Sequence, residues 1–241
     1  IADLENACRG ALGIVISAGP SLDRNIEQLA ADGVHEGAVL ISAQTALKPL
    51  LAVGVVPHFI TALDYHQISR RFYEDLDANL LENTTLVIDP KAHPIIAASY
   101  PGPVRTSRSE FLDRVLGEHA PDNMSLPPAS NVAQMAYCLA RHLGCDPVAM
   151  VGQDLSFTDG LYYAGATAID NVWLPELGMF NTIEMMEWQR IARNREFLSR
   201  TTDVRGRAVY TDQQMVAYLH QFERLFAADR ASGMRVLDAT E

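Results

Sequence analysis

Residues 13–33 read "GIVISAGPSLDRNIEQLAADG": an apolar run stops at Ser17-Ala18-Gly19-Pro20, and an amphipathic helix starts at Ser21. A strand that ends in a glycine-bearing turn and runs into a helix exposes the first backbone N–H groups of that helix. With the positive end of the helix dipole they form an anion site, most often used for phosphate. Gly19 admits close approach of a ligand and Pro20 stiffens the turn; Ser21 either caps the helix or bonds a ligand oxygen. The same residues also make an ordinary strand–turn–helix connection. The turn is not GxGxxG, and no GxxxxGK followed by Ser or Thr occurs, which argues against the usual dinucleotide and P-loop sites.

Further polar residues fall at the ends of other predicted strands. Ser42 is followed by Gln44 and Thr45; "TALDYH" supplies Asp64, Tyr65 and His66; one strand ends at Asp89 and another, in "VGQD", at Gln153 and Asp154. Ligands of open parallel sheets bind at the carboxyl ends of the strands, so parallel strands would collect these groups on one rim. Asp64 alternatively caps a helix through "QISRRFYEDL", and Asp89, before Pro90, alternatively shapes a turn. His66 is the histidine in polar company at a strand end, with His93 an outside candidate. Asp64, Asp89 and Asp154 have the chemistry to hold Mg²⁺, although their spacing specifies no metal. No GxSxG elbow is present.

These residues require an alternating framework to position them. Strands are expected at 13–17, 38–42, 58–63, 85–89, 104–106 and 147–151, and the helical stripe Val132, Met135, Ala136, Leu139 marks a helix over 131–143. The fold class read from this alternation is α/β: a Rossmann-like three-layer α/β/α arrangement with a mostly parallel sheet and a helical C-terminal appendage. The expected division is a core over 1–170 and a mostly helical subdomain over 171–241, where 181–200 and 211–230 read as helices, the second capped by Thr211 or Asp212. The proline-rich "EHAPDNMSLPPAS" (118–130) reads as a surface loop and hinge.

The 241 residues are 48% hydrophobic, enough for a proper core, and the formal net charge of −11 repels a long polyanion, so no nucleic-acid partner is expected. No apolar run approaches the roughly 18 residues of a membrane span, and no signal peptide is present. Cys8, Cys138 and Cys145 form no CxxC pair; with the rest this suggests a cytoplasmic, reducing setting. The ends of the chain are compatible with a piece of something longer.

Several blocks, in order, resemble the central domain of the motility accessory factor (Maf) family. They are "VISAGPSLDRNIEQL", "LKPLLAVGVVPHFITALDYH", "ASNVAQMAYCLARHLGCDPVAMVGQDLSFTDG" and "AVYTDQQMVAYLHQFERL", with "RVLDATE" at the end. The resemblance implies transfer of a nonulosonic, sialic-acid-like sugar from a CMP-activated donor to flagellin Ser or Thr hydroxyls. It also implies kinship with bacterial sialyltransferases and with archaeal pterin diphosphokinase-like enzymes that use ATP and Mg²⁺. On this reading Ser17, Gly19, Pro20, Ser21, Gln44, Thr45 and Asp64 line the nucleotide, Gln153, Tyr163 and Asn131 the sugar, and Asp154 or His66 acts as the base. The other readings are an ATP- and Mg²⁺-dependent diphosphokinase and a non-catalytic nucleotide-sugar-binding module. Two departures from the family stand out: Pro57-His58 replaces Pro-Asp, and "GLYYAG" lacks a loop histidine.

Overall fold

Short runs of β-branched and aliphatic residues, apolar on both faces, suit a central parallel sheet better than an alternating, half-exposed one. The structure, a computed structural model, describes residues 1–108, 110–119 and 126–240. Its strands are β1 (Leu12–Ile16), β2 (Ala38–Ala43), β3 (Phe59–Ala62), β4 (Thr85–Ile88), β5 (Val104–Thr106), β6 (Val148–Val151), β7 (Leu198–Thr202), β8 (Ala208–Asp212) and β9 (Val236–Asp238). Seven of these form one all-parallel sheet in the order β5-β4-β3-β2-β1-β6-β9, and β7 and β8 form an antiparallel hairpin. The order reverses at β1, which pairs with β2 on one side and β6 on the other.

Between the strands run helices α1 (Leu22–Leu29), α2 (Val34–Gly37), α3 (Leu47–Ala52), α4 (Pro94–Ser99), α5 (Glu110–Leu116), α6 (Val132–His142), α7 (Asp170–Trp173), α8 (Ile183–Arg193) and α9 (Gln213–Ala231). They cover both faces of the sheet. Val15, Ile41, Val87 and Met150 pack with α6 and with Phe222 of α9. The alternate residues Ile14, Ile16 and Leu40 pack with Leu22 and Ile26 of α1 and Leu50 of α3. Among the described residues no helix is long and apolar enough to cross a membrane.

The expected strands of the sheet all form, to within a residue at most ends. Two local expectations need correction. The helix expected over 181–200 stops at Arg193, and Leu198–Thr202 pairs as a strand with Ala208–Asp212. There the Asp203 carboxylate accepts the N–H groups of Arg205 and Arg207 (2.9 and 2.8 Å) and fixes a turn that favours the hairpin over more helix. The stretch after His66 is a 3-10 segment, Gln67–Tyr73, with no side-chain cap, so Asp64 is free for other partners. Of the two candidate caps for the last helix, Asp212 is the cap and accepts from Met215 N–H at 2.8 Å. Thr211 instead donates to the Leu155 carbonyl at 2.9 Å. Of the expected hinge over 118–130, residues 120–125 lie outside the described residues.

His58 shows how a polar residue is used in a sheet. Its backbone N–H donates to Leu40 O, and its Nδ1 accepts from Leu40 N–H at 3.1 Å, one residue before the β2–β3 ladder begins. The ring stacks on His35 with centroids 4.3 Å apart. Burial, then the neighbouring His35, lower the His58 pKa. A histidine whose folded pKa lies below its unfolded value of about 6.5 adds stability that is present above that pH and is lost as pH falls toward the folded value. His58→Asn keeps an acceptor for Leu40 N–H but cannot titrate. The expected result is a shallower loss of urea stability below about pH 6.5 in the variant than in the native chain; equal slopes would remove His58 from the account.

Candidate functional site

Because β1 and β6 are neighbours, the turns that leave them meet. Ser17 N–H donates to Val151 O, and Gly19 N–H donates to Gly152 O, both at 2.9 Å. Side chains repeat the pairing, with the Ser17 hydroxyl donating to Gln153 Oε1 at 2.7 Å. Ser21, fully buried at the start of α1, gives its hydroxyl to Asp154 Oδ2 at 2.7 Å and its N–H to the same oxygen at 3.1 Å. The anion at this helix N-terminus is therefore the chain's own carboxylate. The two glycines are needed for the fit. A Cβ on Gly19 would stand 2.1 Å from Asp154 Oδ2 and 2.5 Å from Gly152 O, and one on Gly152, where φ is +69°, would stand 2.2 Å from Ser17 O.

A second network hangs from β2 and β3. Asp64 accepts from Gln44 Nε2 and, at 3.2 Å, from the Ser69 hydroxyl, while Tyr73 donates its OH to Gln44 Oε1 at 2.9 Å. Burial, then the charge of Asp64, push the Tyr73 hydroxyl well above its usual pKa, which keeps it a donor. Gln44 is wholly buried, so it orients Asp64 from behind.

These strand ends form the floor of a cleft of about 290 Å³. Ser17, Gly19, Pro20, Thr45, Asp64, Gln153 and Asp154 all line it, with Asn131 and Tyr163 on its walls. One wall is the start of α6, where Asn131 Oδ1 caps the helix by accepting Gln134 N–H at 2.9 Å. The cap leaves the N–H groups of Val132 and Ala133 with no acceptor inside the helix, and both residues line the cleft. The Asn131 side-chain amide nitrogen is buried and has no hydrogen-bond partner among the described residues. The opposite wall is the loop after Asp154, in which Leu155 adopts φ +51°. The loop is held by Ala164 N–H on Ala18 O at 2.9 Å and by Tyr162 N–H on Glu187 at 3.0 Å. Burial raises the pKa of both Tyr162 and Tyr163.

Of the site residues expected from sequence, Ser21 and Gln44 sit behind the cleft and act through Asp154 and Asp64. His66 is exposed, with its ring 4.0 Å from that of Tyr65, and lines an adjoining cleft instead. His93 caps α4, its Nδ1 accepting Ile95 N–H at 3.1 Å. Asp89 faces Lys91 at 3.7 Å. Asp212, Gln214, Met215 and Tyr218, from the end of β8 and the start of α9, also line the cleft. Asp212 was visible in the sequence as a cap, but no local signal ties it to residues 17–64. Three carboxylates, those of Asp64, Asp154 and Asp212, line the cleft, and no Lys, Arg or His does so among the described residues. Asp64, Asp89 and Asp154 are not gathered into one ligand set, and no group of three or more His, Cys, Asp or Glu among the described residues is placed to hold a metal ion.

A family model described as 6-hydroxymethylpterin diphosphokinase MptE-like matches residues 1–160, which include all the sheet strands except β9. No curated protein matches the chain. The structure is similar to that of a MAf glycosyltransferase from Magnetospirillum magneticum AMB-1, with a TM-score of 0.65 and 19% sequence identity. The likeness covers 98% of this chain and 34% of that one, so the chain spans about a third of that protein. At this identity the likeness is one of fold.

The Gly19 contacts predict the behaviour of a small substitution. Gly19→Ala is expected to cost about 1–3 kcal/mol, since the nearer of its two obstacles is a fixed carboxylate and the other is backbone. Gly178→Ala, whose Cβ meets nothing within 4 Å, serves as the control. Thermal unfolding of both variants measures this directly. A Gly19→Ala midpoint equal to the control's would show that the interlock yields.

Proposed function

The chain belongs to the 6-hydroxymethylpterin diphosphokinase MptE-like family, and from that premise we propose that it is a glycosyltransferase of the Maf type. The proposed donor is a CMP-activated nonulosonic acid, and the acceptor a Ser or Thr hydroxyl of flagellin. The observation that carries this reading is the start of α6. In a cleft lined by carboxylates, the Val132 and Ala133 N–H groups and the unpartnered Asn131 amide are the donors suited to a nucleotide phosphate. The Ser21 donors, engaged with Asp154, are not free for it. The likeness to the MAf glycosyltransferase fold supports the same reading. It runs over nearly the whole chain, including the cleft wall from β8 and α9 that lies beyond residue 160.

In this proposal Ser17, Gly19 and Pro20 form the floor under the nucleotide. Thr45 and Asp64 meet its edge, and Gln153 and Tyr163 meet the sugar. The bond between the anomeric carbon and the phosphate oxygen breaks, and its electron pair leaves on CMP. The acceptor oxygen bonds to that carbon, and its proton passes to Asp154 or to His66. Donors aimed at the departing phosphate stabilise the charge that develops there.

The family description favours a second reading, an ATP- and Mg²⁺-dependent diphosphokinase. Against it, Asp64, Asp89 and Asp154 are not gathered into one magnesium ligand set among the described residues, and Asp89 turns to Lys91.

Calorimetric titration with CMP, and separately with ATP plus Mg²⁺, tests the choice. CMP binding is expected. Asn131→Asp keeps a good helix cap but turns the amide into a carboxylate, so it should weaken CMP by about tenfold or more, with the unfolding midpoint recorded beside it to separate lost binding from lost folding. Binding of ATP with Mg²⁺ in place of CMP would favour the diphosphokinase. Unchanged CMP affinity in the variant would remove α6 from the phosphate.

A further inference from the structure

A second cleft, of about 710 Å³, adjoins the first and shares Asp64 and Tyr163 with it. Its chemistry is the opposite. Arg71, Arg190 and Arg193 line it, and none of the three closes an ion pair with a carboxylate among the described residues. The neighbouring Arg70 pairs with Glu74, which leaves Arg71 to the cleft. Arg190 is pre-positioned by aromatic rings: its guanidinium lies 4.0 Å from the Tyr162 ring centroid and 5.6 Å from those of Tyr163 and Trp173. The carboxylates facing this group are Asp64, already engaged by Gln44 and Ser69, and Glu176 on the rim, with buried Glu187 beneath, accepting Tyr162 N–H. Three guanidiniums on one cleft, none in an ion pair among the described residues, are a pronounced departure on a chain of net charge −11.

The rest of the lining narrows the ligand. Asn181 and Gln189 offer amides, Trp173 and Tyr163 offer aromatic faces, and Ile68 and Val172, 59% and 44% exposed, offer apolar surface. A bare phosphate would leave the apolar and aromatic groups uncovered. A hydroxylated ring that carries a carboxylate uses all of them, because guanidinium binds carboxylate through two parallel hydrogen bonds and ring C–H faces pack on aromatic side chains. We infer that the second cleft binds an acidic sugar through its carboxylate, held by Arg71, Arg190 and Arg193. Its place in a reaction rests on the transferase reading. With the nucleotide in the first cleft, the anomeric carbon comes to the Asp64–Tyr163 junction, between Asp154 on one side and His66 on the other.

The test uses the full chain and four probes: N-acetylneuraminic acid, its methyl ester, inorganic pyrophosphate and CMP. Each is titrated into the native protein and into Arg71→Ala and Arg193→Ala, with unfolding midpoints recorded. The acid is expected to bind, the ester at least about tenfold more weakly, and each variant to weaken the acid by about tenfold while leaving CMP unchanged. Absence of acid binding, equal binding of acid and ester, or indifference of the acid to both arginines would overturn the inference. Arginine-dependent binding of pyrophosphate alone would do so too, and would assign the cleft to a phosphoryl group. Loss of CMP binding with arginine-dependent acid binding intact would defeat the transferase reading and leave this cleft's assignment standing. The reverse pattern would defeat this one.

Discussion

The contact on which the site depends is the meeting of two glycine turns at the carboxyl ends of β1 and β6. Gly19 and Gly152 bring two backbones to hydrogen-bonding distance, and Asp154 then closes on Ser21 at the start of α1. That carboxylate satisfies donors that a helix start would otherwise offer to a ligand, and it lies near the positive end of the helix dipole. The turn that most resembles a phosphate loop is thus a structural clasp. The start of α6 opens into the same cleft, and its cap residue Asn131 has a buried amide nitrogen without a hydrogen-bond partner among the described residues.

This arrangement sorts charge over a short distance. The first cleft carries the carboxylates of Asp64, Asp154 and Asp212, with the start of α6 as one wall. The adjoining cleft carries three arginines. Guanidiniums placed directly beside these carboxylates would form tight ion pairs with them. They stand instead in the adjoining cleft, which shares Asp64 and Tyr163 with the first, and Arg190 is steadied by aromatic rings.

Much of the sheet was legible because its signals are local. Ile14, Val15 and Ile16, or Leu86 and Val87, read as buried strand from their own neighbours, and Asn131 and Gly144 bracket α6 by their types. The rim was legible by one further step, since parallel strands place the residues after Ser17, Ser42, Leu63 and Val151 on one edge. The features that escaped depend on contacts between distant parts of the chain. Ser21 and Gln44 have ligand-binding chemistry, and nothing in the sequence shows that Asp154 and Asp64 engage them first. Asp212, Gln214 and Tyr218 reach the cleft because α9 packs Phe222 beside α6, a fact of tertiary packing that no motif encodes. Residues 198–202 looked helical because the turn at Asp203 that pairs them with β8 lies just beyond the helical pattern.

The strand order also dictates when the cleft comes into being. β1, complete by residue 16, waits at the centre of the sheet for β6 at 148–151, and β6 in turn receives β9 at 236–238. Strands β1 to β5 pair in chain order, so one half of the sheet closes through short crossovers. The other half is made of the longest-range contacts, which are the slowest to close. On a ribosome, residues 12–106 would emerge with an open edge on β1, and the clasp at Gly19 would have no partner until Gly152 followed. The cleft floor, which needs both the turn after β1 and the turn after β6, therefore cannot be complete until the far half of the sheet has joined the near one.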